Sequence, residues 1–191
     1  MSFTNKLFIS FAGIYLIWGS TYLVVKFALG GFPPLLMGAI RFSLAGLLFM
    51  LFAWFKGDGL PKLKDWKNGL IIGFIMNFCG QALTFIATMK VPTVIVALIC
   101  ASIPLWVTFF DQIFFSRQKL SLFRYSGLLI GFIGVITLLA PGSHQEFNYL
   151  YALPVIFSCI CWSFGSILPQ KLKMGPSTFI NLGTQLFSGS L

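Results

Sequence analysis

Asn77, Gln81, Thr84 and Thr88 recur at i, i+4, i+7 and i+11 inside an otherwise apolar stretch. At α-helical spacing such side chains stack on one face. An amide in hydrocarbon is costly unless it finds a partner, so this face must meet protein or a wet cavity. Asn77, Gln81 and Thr84 are candidates for hydrogen-bonding a polar solute. Their alternative role is interhelical bonding, at about 0.6 kcal/mol per bond. Thr88 lies too near the end of the stretch to join them. Tyr15, Trp18, Tyr22 and Lys26 share a second face by the same spacing. Trp18 and Tyr22 sit mid-stretch, away from the interfacial belt where aromatic residues anchor helices. Rings with polar tips there suit packing or a pocket for an amphipathic solute. Arg41 lies about two helical turns beyond Pro34 in a further apolar stretch. A charge at that depth is expensive and by default marks a site or a paired ion. No carboxylate sits at matching depth, which leaves carbonyls, amides, water, an anionic solute, or a structural role near a helix end. Ser158, Trp162 and Gly165 make a comparable face later in the chain, between Pro154 and Pro169. Trp162 is expected to face the same midplane site as Trp18.

These residues must be positioned by six apolar stretches: 7–29, 34–55, 69–88, 92–115, 125–140 and 149–168, with a shorter one at 177–191. A spanning helix needs about 20 mostly apolar residues. The fold class is therefore all-α, a polytopic transmembrane helix bundle. Composition agrees: 58% of residues are hydrophobic and 9% charged, against about 25% charged in soluble domains. The first stretch is too long for a signal-peptide core and has no small-residue cleavage site after it. Asp111 is the one acid within a stretch, and its place near the end suits pairing with Arg117 or Lys119 better than proton coupling. Pro104 should kink the fourth stretch. Gly69, Gly73 and Gly80 beside the polar face suit close helix approach.

The net charge of +9 does not point to nucleic acid, because its placement follows the loops. Lys6, Lys56, Lys62, Lys64, Lys67, Arg117, Lys119, Arg124, Lys171 and Lys173 fall in alternate connections. Cytoplasmic loops hold the Lys/Arg excess. The N-terminus is thus expected in the cytoplasm, with His144 and Glu146 outside, in an inner-membrane protein. Cys79, Cys100, Cys159 and Cys161 all fall within stretches, where they read as packing residues rather than a disulfide framework or a zinc site. One His, four acids and no nucleophile–base pair argue against an enzyme. No cofactor or metal is implied, and the absence of a Walker motif excludes ATP-driven pumping by these residues.

The Trp18-Gly19-Ser20 segment, followed by Lys26 and Pro33-Pro34, has a faint echo in Trp162-Ser163-Phe164-Gly165-Ser166, followed by Lys171 and Gly175-Pro176. Five stretches separate the copies, so the second enters from the opposite side. Inverted-topology repeats of this kind are common in transporters.

At Trp18-Gly19-Ser20-Thr21-Tyr22, with Lys26, Pro33-Pro34, Arg41-Phe42 and Ala45-Gly46, the chain resembles the first helix pair of EamA-type members of the drug/metabolite transporter superfamily. Residues 97–104 resemble the fourth helix of that family. Gly127, Gly131, Gly134-Val135 and Ala140-Pro141 resemble the fifth. Gln118 stands where members usually carry a Glu. The resemblance implies ten helices in two inverted five-helix repeats. Residues 1–148 would be the first repeat and 149–191 the start of the second, with the remainder missing from a fragment or truncated product. It also implies a secondary carrier of small metabolites, amino acids or drugs by alternating access. The alternative is an inactive fragment or a non-transporting membrane subunit. The expected partners are a small-molecule solute, the lipid bilayer, and either a chain supplying the missing spans or a second copy.

Overall fold

The computed structural model describes residues 3–114, 122–138 and 149–190. The Tyr22 side chain, Arg117, Gln118, Lys119 and the loop carrying His144 and Glu146 lie outside the described residues. All regular structure among the described residues is helical. α1 (Phe3–Ala28) and α2 (Pro34–Phe55) each run without a break. At 1.5 Å per residue they extend about 39 and 33 Å, enough to cross the roughly 30 Å hydrocarbon core. α3 (Leu63–Gly73), a π-helix (Phe74–Ala82) and α4 (Leu83–Thr88) form one continuous rod. α5 (Thr93–Cys100) and α6 (Ile103–Phe114) follow, separated by a turn at Ala101–Ser102. α7 is Leu122–Leu138, α8 is Leu153–Ile167 and α9 is Thr178–Ser188. Five helical segments are long and apolar enough to span: Thr4–Ala28, Pro34–Phe55, Leu63–Thr88, Thr93–Phe114 and Leu150–Gln170. The apolar part of α7, Tyr125–Gly134, is shorter.

Large apolar side chains cover the outside. Leu16, Ile17, Phe27 and Leu48 are all exposed. A water-soluble monomer rarely tolerates such continuous apolar surface, whereas in a bilayer it faces acyl chains of matching polarity. The chain is a multi-pass membrane protein. The kink expected at Pro104 is a full break two residues earlier. Ala101 and Ser102 form a turn in which the Ser102 amide bonds the Ile99 carbonyl at 2.9 Å. Pro104 then sits in the first turn of α6, where its missing N–H goes unneeded.

Two packing units hold the helices. α8 lies against the π-helix, α4, α5 and α6. Val96, Ile99, Val155 and Cys159 form its buried core with Ala87 and Ile95. α9 wedges between α2 and α3. The wedge begins at a polar anchor: Ser177 Oγ donates to Asp58 Oδ2 at 2.6 Å and accepts the Ile180 amide at 3.3 Å. Gly57 and Gly59, at φ +85° and +82°, let the α2–α3 connection turn around Asp58. Thr184 of α9 is fully buried and back-bonds to the Ile180 carbonyl at 2.9 Å.

Candidate functional site

A cavity of about 530 Å³ lies between α1, α2, the π-helix with α4, the α5–α6 break and α8. That volume suits a small organic solute. Trp18, Arg41, Gln81, Thr84, Ser158 and Trp162 line it, and so does Thr88, contrary to the expectation that it lies too near the end of its stretch. Counted from the helix ends nearest one membrane face, Arg41 and Gln81 lie about 10 Å deep and Trp18 about 15 Å deep, while Trp162 is level with Gly80, next to Gln81.

Local structure explains each placement. Trp18 and Trp162 meet edge-to-face, with ring centroids 6.0 Å apart and planes at 79°. This is the favoured geometry for rings with opposed face and edge charge. Trp162 reaches this position because Gly80 lets α8 close on the π-helix. A Cβ on Gly80 would stand 3.3 Å from the Trp162 Cβ. Thr84 is committed: its hydroxyl donates to the Gly80 carbonyl at 3.1 Å or shares a proton with Ser158 Oγ at 2.6 Å. It fixes α4 to α8 and shows the solute space a largely satisfied hydroxyl. Gln81 is half-buried and has no hydrogen-bond partner among the described residues. Arg41 is exposed and lines the cavity; among the described residues it has no hydrogen bond or ion pair, and its guanidinium lies 5.7 Å from the ring centroid of its neighbour Phe42. The cavity lining thus holds two groups, Arg41 and Gln81, with free hydrogen-bonding capacity among the described residues.

Asn77 does not join them. Its side chain is 4% exposed and its amide donates to the Gln185 carbonyl of α9 at 3.2 Å. It borders a separate crevice of about 330 Å³ between α2 and the π-helix. The correction has a physical cause. Asn77 and Gln81 lie in the π-helix, whose i→i+5 bonds give a wider turn than the α spacing assumed from the sequence. That wider turn shifts the phase of the helix between Asn77 and Thr84, so that Gln81 and Thr84 line the cavity while Asn77 faces α9. Tyr22 belongs to α1, with its side chain outside the described residues.

Two features carried weaker signals. Ser158 was visible only as a neighbour of Trp162 in helical spacing, and its bond to Thr84 needs the fold. The cysteines pair across helices. Cys159 Sγ lies 3.9 Å from Cys100 Sγ, and Cys161 lies against Cys79. The Cys-x-Cys of α8 thus turns one thiol to α5 and the other to the π-helix, a pairing no spacing rule reveals. Among the described residues no three His, Cys, Asp or Glu side chains gather as a metal site.

Residues 6–140 match the EamA-like transporter family. The chain belongs to that family. It is 31% identical over 193 residues to the uncharacterized inner membrane transporter YedA of Escherichia coli strain K12, covering 97% of this chain and 62% of that protein. It is 25% identical to the uncharacterized transporter YyaM of Bacillus subtilis strain 168, over 95% of this chain and 59% of the relative. For YvbV of the same organism the identity is 23%, over 94% and 59%. The chain therefore spans about three fifths of the length of these relatives. No solved structure matches it. All three of these relatives are named as transporters.

Proposed function

We propose that this protein is part of a secondary carrier that moves a small solute through the Trp18–Gln81–Trp162 cavity by alternating access. The observation that carries the reading is the cavity wall itself. Arg41 and Gln81 lie within a membrane-spanning bundle yet have no polar partner among the described residues. Unsatisfied groups at membrane depth are costly and are retained where a substrate or water meets them. In this reading residues 1–148 form one five-helix repeat and the segment from 149 begins an inverted second. The direct contact of Trp18 with Trp162, at equivalent places in α1 and α8, supports that relation. Helices from both segments wall the cavity, so rocking one against the other would open it alternately to each side. The N-terminus is placed in the cytoplasm, following the Lys/Arg bias.

The test is uptake from a metabolite extract by vesicles containing the protein, read by mass spectrometry against protein-free vesicles. At least one solute should accumulate saturably and lose that uptake in Gln81→Ala. Uptake of every solute at the protein-free level would overturn the reading.

A further inference from the structure

Arg41 is the only charged side chain among the described residues lining the cavity, and no carboxylate accompanies it there. We infer that the cavity selects an amphipathic organic anion, with a carboxylate or similar acidic head at Arg41 and Gln81 and an apolar body against the Trp18–Trp162 pair. The inference rests on the carrier reading above and adds the charge and shape of the solute.

Three observations combine. Arg41 stays protonated at any physiological pH, so an empty or neutral-filled cavity leaves its charge without a counterion in a low-dielectric region. A carboxylate accepts the guanidinium fork in two parallel bonds, and the Gln81 amide, at the same depth, can donate a further one. Counted along their helices, Trp18 lies roughly 5 Å deeper than Arg41, and its ring meets that of Trp162. That offset matches the separation of a carboxylate from a ring or branched chain in a compact acid. A cationic solute could stack on the indole faces, but it would then sit within that same distance of the Arg41 charge, with no acid in the described lining to hold it. A bare inorganic anion would satisfy Arg41 and leave the indole surface uncovered.

The measurement is equilibrium binding of tritiated 3-phenylpropanoate to the protein in phosphatidylcholine nanodiscs. Unlabelled 3-phenylpropanoate, its amide and 3-phenylpropylamine serve as competitors. These three share a body and differ in head charge. The acid should compete at least about tenfold better than the amide, the size of one charge-assisted hydrogen bond, and the amine should be weakest. Arg41→Gln should abolish the preference for acid over amide, and Arg41→Lys should keep part of it, which separates loss of charge from loss of fold. Equal competition by acid and amide, no binding of the labelled acid, or an undiminished preference in Arg41→Gln would each overturn the inference. Displacement of the acid by adding phosphatidylglycerol to the discs would identify a lipid headgroup as the occupant of Arg41 and overturn it as well. Failure of the carrier reading is distinguishable: the acid would bind with the predicted Arg41 dependence, yet no solute would cross vesicles. Conversely, Gln81-dependent flux of neutral or cationic solutes without acid preference would sustain the carrier and refute the anion.

Discussion

Replacing Gly46 with Ala tests how α9 is seated against the rest of the bundle. A Cβ at Gly46 would stand 2.7 Å from the Phe187 amide nitrogen, 2.9 Å from the Gly183 carbonyl oxygen and 2.9 Å from the Phe187 Cβ, where ordinary contact is 3.4–4 Å. Two of those atoms are backbone, held by the α9 hydrogen-bond ladder, and cannot swing aside. α9 must retreat by about 0.7 Å, enough to forfeit a quarter to a half of each dispersion contact it leaves. Because α9 also packs on α3, the retreat loosens both faces of the wedge. Overpacking of this kind costs about 1–3 kcal/mol, and the backbone contacts place Gly46 at the upper end. Ala gains about 1 kcal/mol over Gly in helix propensity, so the net loss should be about 2 kcal/mol. Gly19 is the matched control, with nothing within 4 Å of its added Cβ; Gly19→Ala should be neutral or stabilising by up to about 1 kcal/mol. Unfolding by SDS titration in mixed micelles, followed by tryptophan emission, reads both. Trp66 reports on the wedge because it packs edge-to-face on Phe187 at 5.8 Å. An unchanged midpoint for Gly46→Ala, or an equal loss in Gly19→Ala, would refute the reasoning.

The two amides of the π-helix should behave oppositely. Asn77→Ala removes the bond to the Gln185 carbonyl and should cost about 1 kcal/mol of stability while sparing solute uptake. Gln81→Ala should change stability by less than about 0.5 kcal/mol and abolish uptake; the reverse pattern would contradict the assignment. In a Cys79→Ala, Cys161→Ala background, mild oxidation should join Cys100 to Cys159, whose sulfurs lie 3.9 Å apart. Loss of both free thiols within one chain, measured by mass after alkylation, checks it, and continued alkylation of both would contradict the α5–α8 contact.

The spans and five of the cavity-lining residues were legible in the sequence because hydrocarbon makes polar residues conspicuous. Trp18, Arg41, Gln81, Thr84 and Trp162 stood out as exceptions to an apolar background, and the fold brings all five to one cavity. What was not legible depends on geometry that an ideal α-helix does not have. The π-helix turned Asn77 away from Gln81, and nothing in Phe74–Ala82 announces the wider turn. The break at Ala101–Ser102 fell beside Pro104 rather than at it. The residues after Ser177 read as a short apolar stretch, while α9 is a wedge whose fit rests on Gly46, Gly73 and backbone atoms of α9. Thiol pairing was hidden for the same reason, since Cys100 and Cys159 lie far apart in the chain and meet only when α8 docks.

The central claim is that Gln81 faces a solute-accessible cavity within the membrane. Its most direct test is reaction of an impermeant methanethiosulfonate with Gln81→Cys in a background where Cys79, Cys100, Cys159 and Cys161 are replaced by Ala. Leu44→Cys is the comparison, since Leu44 is an exposed apolar position of α2 outside the cavity lining. The account predicts that Gln81→Cys reacts from the aqueous phase in right-side-out or inside-out vesicles and that Leu44→Cys stays inert in both. A Gln81→Cys thiol inert from both sides, or a Leu44→Cys thiol that reacts as fast, would contradict it.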